Sequence, residues 1–172
     1  ASKASTGNLA VHLEKLEAGV SVVQIVGEFE DKLNAADLTL LIQKPETPVY
    51  VMADGRHFWR VIDNLMNNIC KYAQPGTRVY VDLRENGGQV ELIFRNTSRY
   101  PLNISSEELM ERFVRGDESR NTEGSGLGIS IAKSLMELMG GSFMLYVDGD
   151  LFKVVLGFAQ MEEEKEPLDE DK

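Results

Sequence analysis

The segment from Thr77 to Asn96, TRVYVDLRENGGQVELIFRN, constrains the fold most. Two strand-like runs flank ENGG, and Asn86-Gly87 is a strong signal for a tight antiparallel hairpin. Near the far end of the chain, SFMLYVDGDLFKVVLGFA has the same arrangement around Asp148-Gly149. Two hairpins interleaved with helical segments predict an α+β fold: a two-layer α/β sandwich whose mixed, mostly antiparallel sheet is covered on one face by helices.

The remaining elements are read in chain order. Val11 to Leu16 is a short possible strand with a break at Gly19. Val22, Ile25, Val26, Phe29 and Leu33 have helical spacing across Val22 to Ala36. LTLLIQK and VYVMAD read as strands separated by Pro45 and Pro48. Asp54 can cap a helix running to about Ala73, whose end is marked by QPG. SSEELMERF opens as a capping box, Ser105 being followed three residues later by Glu108. A glycine-punctuated polar stretch then leads into LGISIAKSLMELM, stopped by Gly140-Gly141.

With 172 residues, 42% of them hydrophobic, the chain can bury one core. The predicted organisation is a lead-in at residues 1–20, one domain at 21–160 and a solvated acidic tail at 161–172. No apolar run approaches the roughly 18 residues of a membrane span, and ASKASTGNLA lacks the order of a signal peptide, so a soluble piece is expected. The net charge of -10 argues against a nucleic-acid binder. Glu162 to Lys172 holds seven acids and two lysines, so half of that charge sits in the tail. Any anion site in the body must be built locally, from backbone amides and a few cations. The single Cys70 is read as a core thiol.

Three stretches can carry chemistry. In NLMNNICKYA, Asn64, Asn68 and Lys71 stand at i, i+4 and i+7 and share one helix face. Asparagine costs roughly 0.5 kcal/mol relative to alanine inside a helix, so three in five residues call for compensation. That face is either an ordinary solvated one or a set of amide oxygens for a hard cation, with Lys71 meeting an anion beyond. Gly124-Ser125-Gly126-Leu127-Gly128 precedes a helix, which suits either a flexible hinge or an anion approached by backbone amides at a helix start. It is not a dinucleotide fingerprint, which needs glycine where Ile129 stands, nor a P-loop, which needs a Lys-Ser/Thr pair. Between them ERFVRGDESR offers Arg112, Arg115 and Arg120 beside Phe113, an apolar ring that can pack beneath the loop.

In this order, NLMNNICKYA, ERFVRG and GSGLGISIAKSLMELMGG resemble the N, F and G2 boxes of the catalytic, ATP-binding domain of sensor histidine kinases. That domain belongs to the GHKL (Bergerat-fold) superfamily shared with gyrase, MutL and the Hsp90 chaperone. The resemblance covers about Val22 to Ala159. It implies ATP and Mg2+ as cofactors, Asn68 as the principal magnesium ligand with Asn64 assisting, and Lys71 and Arg115 facing the phosphates. It also implies Tyr72 lining the nucleoside pocket, a lid from about Arg115 to Glu123, and Gly124, Gly126, Leu127 and Gly128 as hinge and phosphate-facing backbone. Asn67 falls at a variable position and is expected to face solvent. One box departs from the pattern: the family's Asp-x-Gly-x-Gly is replaced by FRNTSRYPLNIS, so Asn96 stands for the aspartate and both glycines are missing. An amide oxygen can still accept from the adenine amine, without a charge.

The resemblance implies transfer of the ATP γ-phosphoryl group to a histidine. In the ATPase branches a glutamate activates water where Asn64 stands here, and an amide is a poor general base. His12 and His57 lack an acidic-flanked acceptor context. The acceptor is therefore expected on a separate dimerisation domain, with this fragment monomeric, the whole kinase homodimeric, and a response regulator as partner. The implied location is the cytoplasmic part of a membrane-anchored sensor. An ATPase of the same superfamily and a nucleotide-impaired interaction module are the competing readings.

Overall fold

The computed structural model describes residues 10–115 and 127–162. Its seven strands are β1 (Glu14–Glu17), β2 (Leu38–Gln43), β3 (Tyr50–Ala53), β4 (Thr77–Asn86), β5 (Gln89–Thr97), β6 (Ser142–Asp148) and β7 (Leu151–Met161). They form one sheet in the order β1-β3-β7-β5-β4-β2, with β6 also on β7. Long β7 organises it. One side of β7 pairs with β5 from Leu151 to Ala159, while the other pairs first with β6 and then, at Gln160 and Met161, with β3. All pairs are antiparallel except β2 with β4, which the intervening strand and helix join as a crossover.

The helices are α1 (Ala18–Gly27), α2 (Glu30–Ala35), α3 (Gly55–Tyr72), α4 (Ser106–Arg115) and α5 (Leu127–Leu138). On α3, Phe58, Val61, Ile62, Leu65, Met66 and Ile69 recur at helical spacing and are buried. They face Val79, Val81 and Leu83 of β4, Leu92 and Phe94 of β5, and Val154, Leu156 and Phe158 of β7, which belong to the same core. The Phe58 and Phe158 rings stand 5.5 Å apart and tilted, joining the start of α3 to the end of β7. Burying each such side chain contributes about 1.5–3 kcal/mol, which outweighs the intrinsic penalty of the asparagines on the opposite face. The expected two-layer sandwich is what forms.

Local details differ from expectation in four places. Gly19 does not break the chain: Glu17 accepts hydrogen bonds from the backbone N–H groups of Gly19 and Val20 and starts α1 at Ala18. The expected strand at Val11 to Leu16 shifts to Glu14–Glu17, so the end of the predicted lead-in is part of the sheet and of α1. The expected helix from Val22 to Ala36 is divided after Gly27. Bonds from Glu28 N–H to Ile25 O and from Phe29 N–H to Val26 O tighten the turn without losing its winding, so Phe29 and Leu33 remain buried. Finally, the first hairpin turns on Gly87-Gly88, both with positive φ (58° and 86°), while Asn86 pairs with Gln89. Two left-handed residues are what a two-residue turn of matching twist needs, and glycine takes them at least cost.

Capping expectations hold at both acidic and hydroxyl sites. Asp54 accepts from the backbone of Arg56 and His57 at 2.9 and 3.1 Å and also from His12 N–H at 2.7 Å, tying the chain before β1 to the start of α3. Ser105 Oγ accepts from Glu108 N–H at 3.1 Å. The Glu108 side chain pairs with Arg112 instead of returning to the cap, so only half of the expected box forms.

Candidate functional site

The C-terminal half of α3, the end of β5, residues 100–104, α4 and the start of β7 enclose a cavity of about 500 Å³. Asn68 and Tyr72 line it from α3, Asn96 and Ser98 from β5 and its exit, Leu109, Arg112 and Phe113 from α4, and Phe152 from β7. The volume lies within the range of small-molecule sites, and a largely apolar lining with a few polar groups has the usual composition of one. The rim is held by backbone bonds to its neighbours: Arg99 N–H to Tyr72 O, Ser98 N–H to Asp150 O and Leu102 N–H to Gly149 O. Ser98 Oγ donates to Tyr100 O and accepts from Tyr100 N–H, a hydroxyl-closed turn.

Asn64 lies one turn before Asn68 on α3, and a β-carbon on Gly128 of α5 would stand 3.6 Å from its Oδ1. Asn64 Nδ2 is buried without a hydrogen-bond partner among the described residues. Asn68 faces the cavity. Lys71 Nζ stands 5.3 Å from the centre of the Tyr72 ring. Phe113 is buried and meets Phe152 edge-on at 6.3 Å, so α4 is anchored on the sheet beneath the cavity.

Arg115 is exposed at the end of α4, with its guanidinium 4.0 Å from Glu111, and it is Arg112 that reaches the cavity wall. Gly124, Gly126 and most of the expected lid lie outside the described residues, and Leu127 opens α5. Asn67 is not simply solvent-facing. It accepts from Lys32 Nζ of α2 at 2.8 Å and donates to Asp63 O at 2.9 Å, so the third asparagine fastens α2 to α3. Sequence reasoning missed Tyr100, Leu102, Ile104 and Phe152 as lining residues. The apolar residues in SRYPLNI, set in a loop without helical or strand periodicity, were the available signal.

The electrostatics separate site from scaffold. Burial alone would raise the Asp54 carboxyl, but hydrogen bonds from His12 and His57, the charge of His57 and the Arg56 N–H outweigh it and hold it below the usual carboxylate range. Burial raises the half-buried Cys70 thiol, only partly opposed by Lys32, so this cysteine is not an activated nucleophile. Among the described residues no cluster of three His, Cys, Asp or Glu could hold a metal ion. A divalent cation at the cavity would take its protein oxygens from amides. The amide oxygens of Asn64 and of the cavity-facing Asn68 suit a hard cation that keeps most of its ligands as water and phosphate, and the buried, unpaired Asn64 nitrogen, a donor, calls for an acceptor such as one of those oxygens.

Residues 53–165 match the family described as histidine kinase-, DNA gyrase B-, and HSP90-like ATPase. The chain is 29% identical over 137 residues to the probable sensor kinase SilS of Salmonella typhimurium, covering 78% of this chain and 28% of that protein. It is 34% identical over 110 residues to the probable sensor protein PcoS of Escherichia coli, covering 62% of this chain and 24% of that protein. The chain thus spans about a quarter of the length of these curated relatives. The solved histidine kinase AdeS of Acinetobacter baumannii superposes with a TM-score of 0.73 at 19% identity, over 94% of this chain and 74% of that one.

Proposed function

The chain belongs to the family of histidine kinase-, DNA gyrase B-, and HSP90-like ATPases, and from that premise we propose that it is the ATP-binding catalytic domain of a sensor histidine kinase. The observation that carries the reading is the convergence of Asn68, Tyr72 and Asn96 on one cavity, with Asn64 of the same helix facing Gly128 across the neighbouring gap. In this reading Asn96 meets the base, Tyr72 lines the nucleoside, Asn68 and Asn64 hold Mg2+, and Lys71 with Arg115 or Arg112 offsets the phosphate charge. Magnesium, when bound, would neutralise charge on the phosphate oxygens. The γ-phosphorus breaks its bond to the bridging oxygen, ADP leaves, and a phosphorus–nitrogen bond forms on the acceptor imidazole.

The acceptor is proposed to lie on a separate dimerisation domain. His57 stands at the start of α3, about 22 Å along the helix axis from Tyr72, and its ring Nε2 is engaged 3.0 Å from Ala10 O. Asn64, in place of a carboxylate base, disfavours a hydrolase. The response regulator as partner, a homodimeric whole protein and a membrane-anchored sensor are parts of the same proposal. No described helix is long and apolar enough to cross a membrane.

Thermal denaturation with ATP, with and without Mg2+, tests the reading. At 100 times its dissociation constant the nucleotide should stabilise the domain by about 2.7 kcal/mol. An unchanged midpoint under both conditions would instead favour an interaction module. With labelled ATP the chain alone is expected to stay unlabelled and to release little phosphate; acid-labile, base-resistant phosphate on it would overturn the acceptor assignment.

A further inference from the structure

Asn96 occupies the last inward-facing position of β5, after Val90, Leu92 and Phe94, and is paired across the sheet with Val79 and Phe152. It is 4% exposed, lines the cavity, and its side-chain amide has no hydrogen-bond partner among the described residues. The other buried polar side chain on the cavity wall, Ser98, is closed on the backbone of Tyr100. Asn96 therefore presents to the cavity an amide whose orientation no described protein group fixes. Its amide opens onto the cavity, so a ligand seated there can supply the partner.

On the nucleotide reading above, we infer that this cavity accepts 6-oxopurine nucleotides as well as 6-aminopurine nucleotides. An amide offers one donor and one acceptor side by side. In one orientation it donates to adenine N1 and accepts from the 6-amino group. Turned by half a revolution about its last torsion, which is broad and roughly two-fold, it donates to the 6-oxo oxygen and accepts from N1–H. A carboxylate at this position only accepts, so it would meet the 6-oxo oxygen with a second acceptor. Sites whose buried polar groups are left unpaired discriminate by factors of about 10⁴–10⁵, and a reversible amide removes that penalty for either base. Asn96 is then the residue that sets base selectivity.

The test is a calorimetric titration of the described chain with ATP and with ITP, at fixed Mg2+. ITP carries the 6-oxo edge without the extra 2-amino group of guanine, so steric exclusion does not enter. The dissociation constants are expected within about tenfold of each other, and Asn96→Asp is expected to shift the ratio toward ATP by at least about tenfold. ATP binding with ITP weaker by more than that, or an unchanged ratio in Asn96→Asp, overturns the inference and leaves the nucleotide site standing. Binding of neither nucleotide overturns both. Should Asn96→Asp fail to fold, Asn96→Leu of similar volume replaces it: parallel loss of both nucleotides supports the dual role, and loss of ATP alone overturns it.

Discussion

Asn64 Oδ1 lies 3.6 Å from the point where a β-carbon on Gly128 would stand, so the asparagine helix α3 and the helix that follows the glycine-rich segment meet across a single gap. That distance is ordinary van der Waals contact. Glycine is therefore not required at position 128 by packing, and any need for it arises from what must enter the gap.

Gly128→Ala follows directly. Alanine is favoured over glycine in a helix by up to about 1 kcal/mol, so the variant should be as stable as the parent or slightly more so. Nucleotide affinity should fall severalfold because the added methyl narrows the approach beside Asn64. Urea denaturation and an ATP titration together check this; lower stability with unchanged affinity would reverse the interpretation.

Asn67 and Asn68 are neighbours with opposite expected phenotypes. Asn68→Ala should leave stability unchanged or raise it by about 0.5 kcal/mol while abolishing magnesium-dependent ATP binding. Asn67→Ala removes the bonds to Lys32 and Asp63 and should lower stability by no more than about 1 kcal/mol, with ATP binding intact. Parallel thermal and binding measurements on the two variants decide it.

Stability should fall in acid through two capping carboxylates. Burial would raise Glu17, but hydrogen bonds from the N–H groups of Val49, Val20 and Gly19 and the charge of Lys44 bring it below its ordinary value, and Asp54 is depressed likewise. A depressed carboxyl contributes stability that is fully present above its unfolded value and lost as pH falls through its folded one. Asp63, raised by burial despite Lys32, works in the opposite sense and offsets part of the loss. Denaturation midpoints between pH 6 and 3 should decline, and Asp54→Ala, about 1–2 kcal/mol less stable at neutral pH, should show a shallower decline.

Gly141→Ala should be among the damaging glycine substitutions. A β-carbon there would stand 2.6 Å from Gly157 O and 2.7 Å from Met136 Cε, so backbone must shift where β6 begins. A loss of about 1–3 kcal/mol is expected in chemical denaturation. Gly27→Ala, with nothing within 4 Å, is the control and should be neutral.

Much of the site was legible because helical spacing is a local property. Asn64 and Asn68 could be assigned to one face of α3, distinct from that of Leu65 and Ile69, from positions alone. The cavity's remaining wall was not legible in that way. Tyr100, Leu102 and Ile104 lie in an aperiodic loop, held by bonds to the end of α3 and to the β6–β7 turn. Arg112 was considered beside Arg115, yet which one reaches the cavity depends on how α4 sits on Phe152.

What the sequence determined by itself is the set of periods, caps and turns: two hairpins, a capped amphipathic α3, and an ordered series of polar stretches diagnostic of the family. Each rests on interactions between residues a few positions apart. What only the tertiary structure decided is which distant residues share a surface: Asn67 with Lys32, Asn64 with Gly128, and Asn96 with the loop and α4 around one cavity. Those pairings follow from burying the apolar faces of α3 and the sheet together, a non-local gain that no short window of sequence contains.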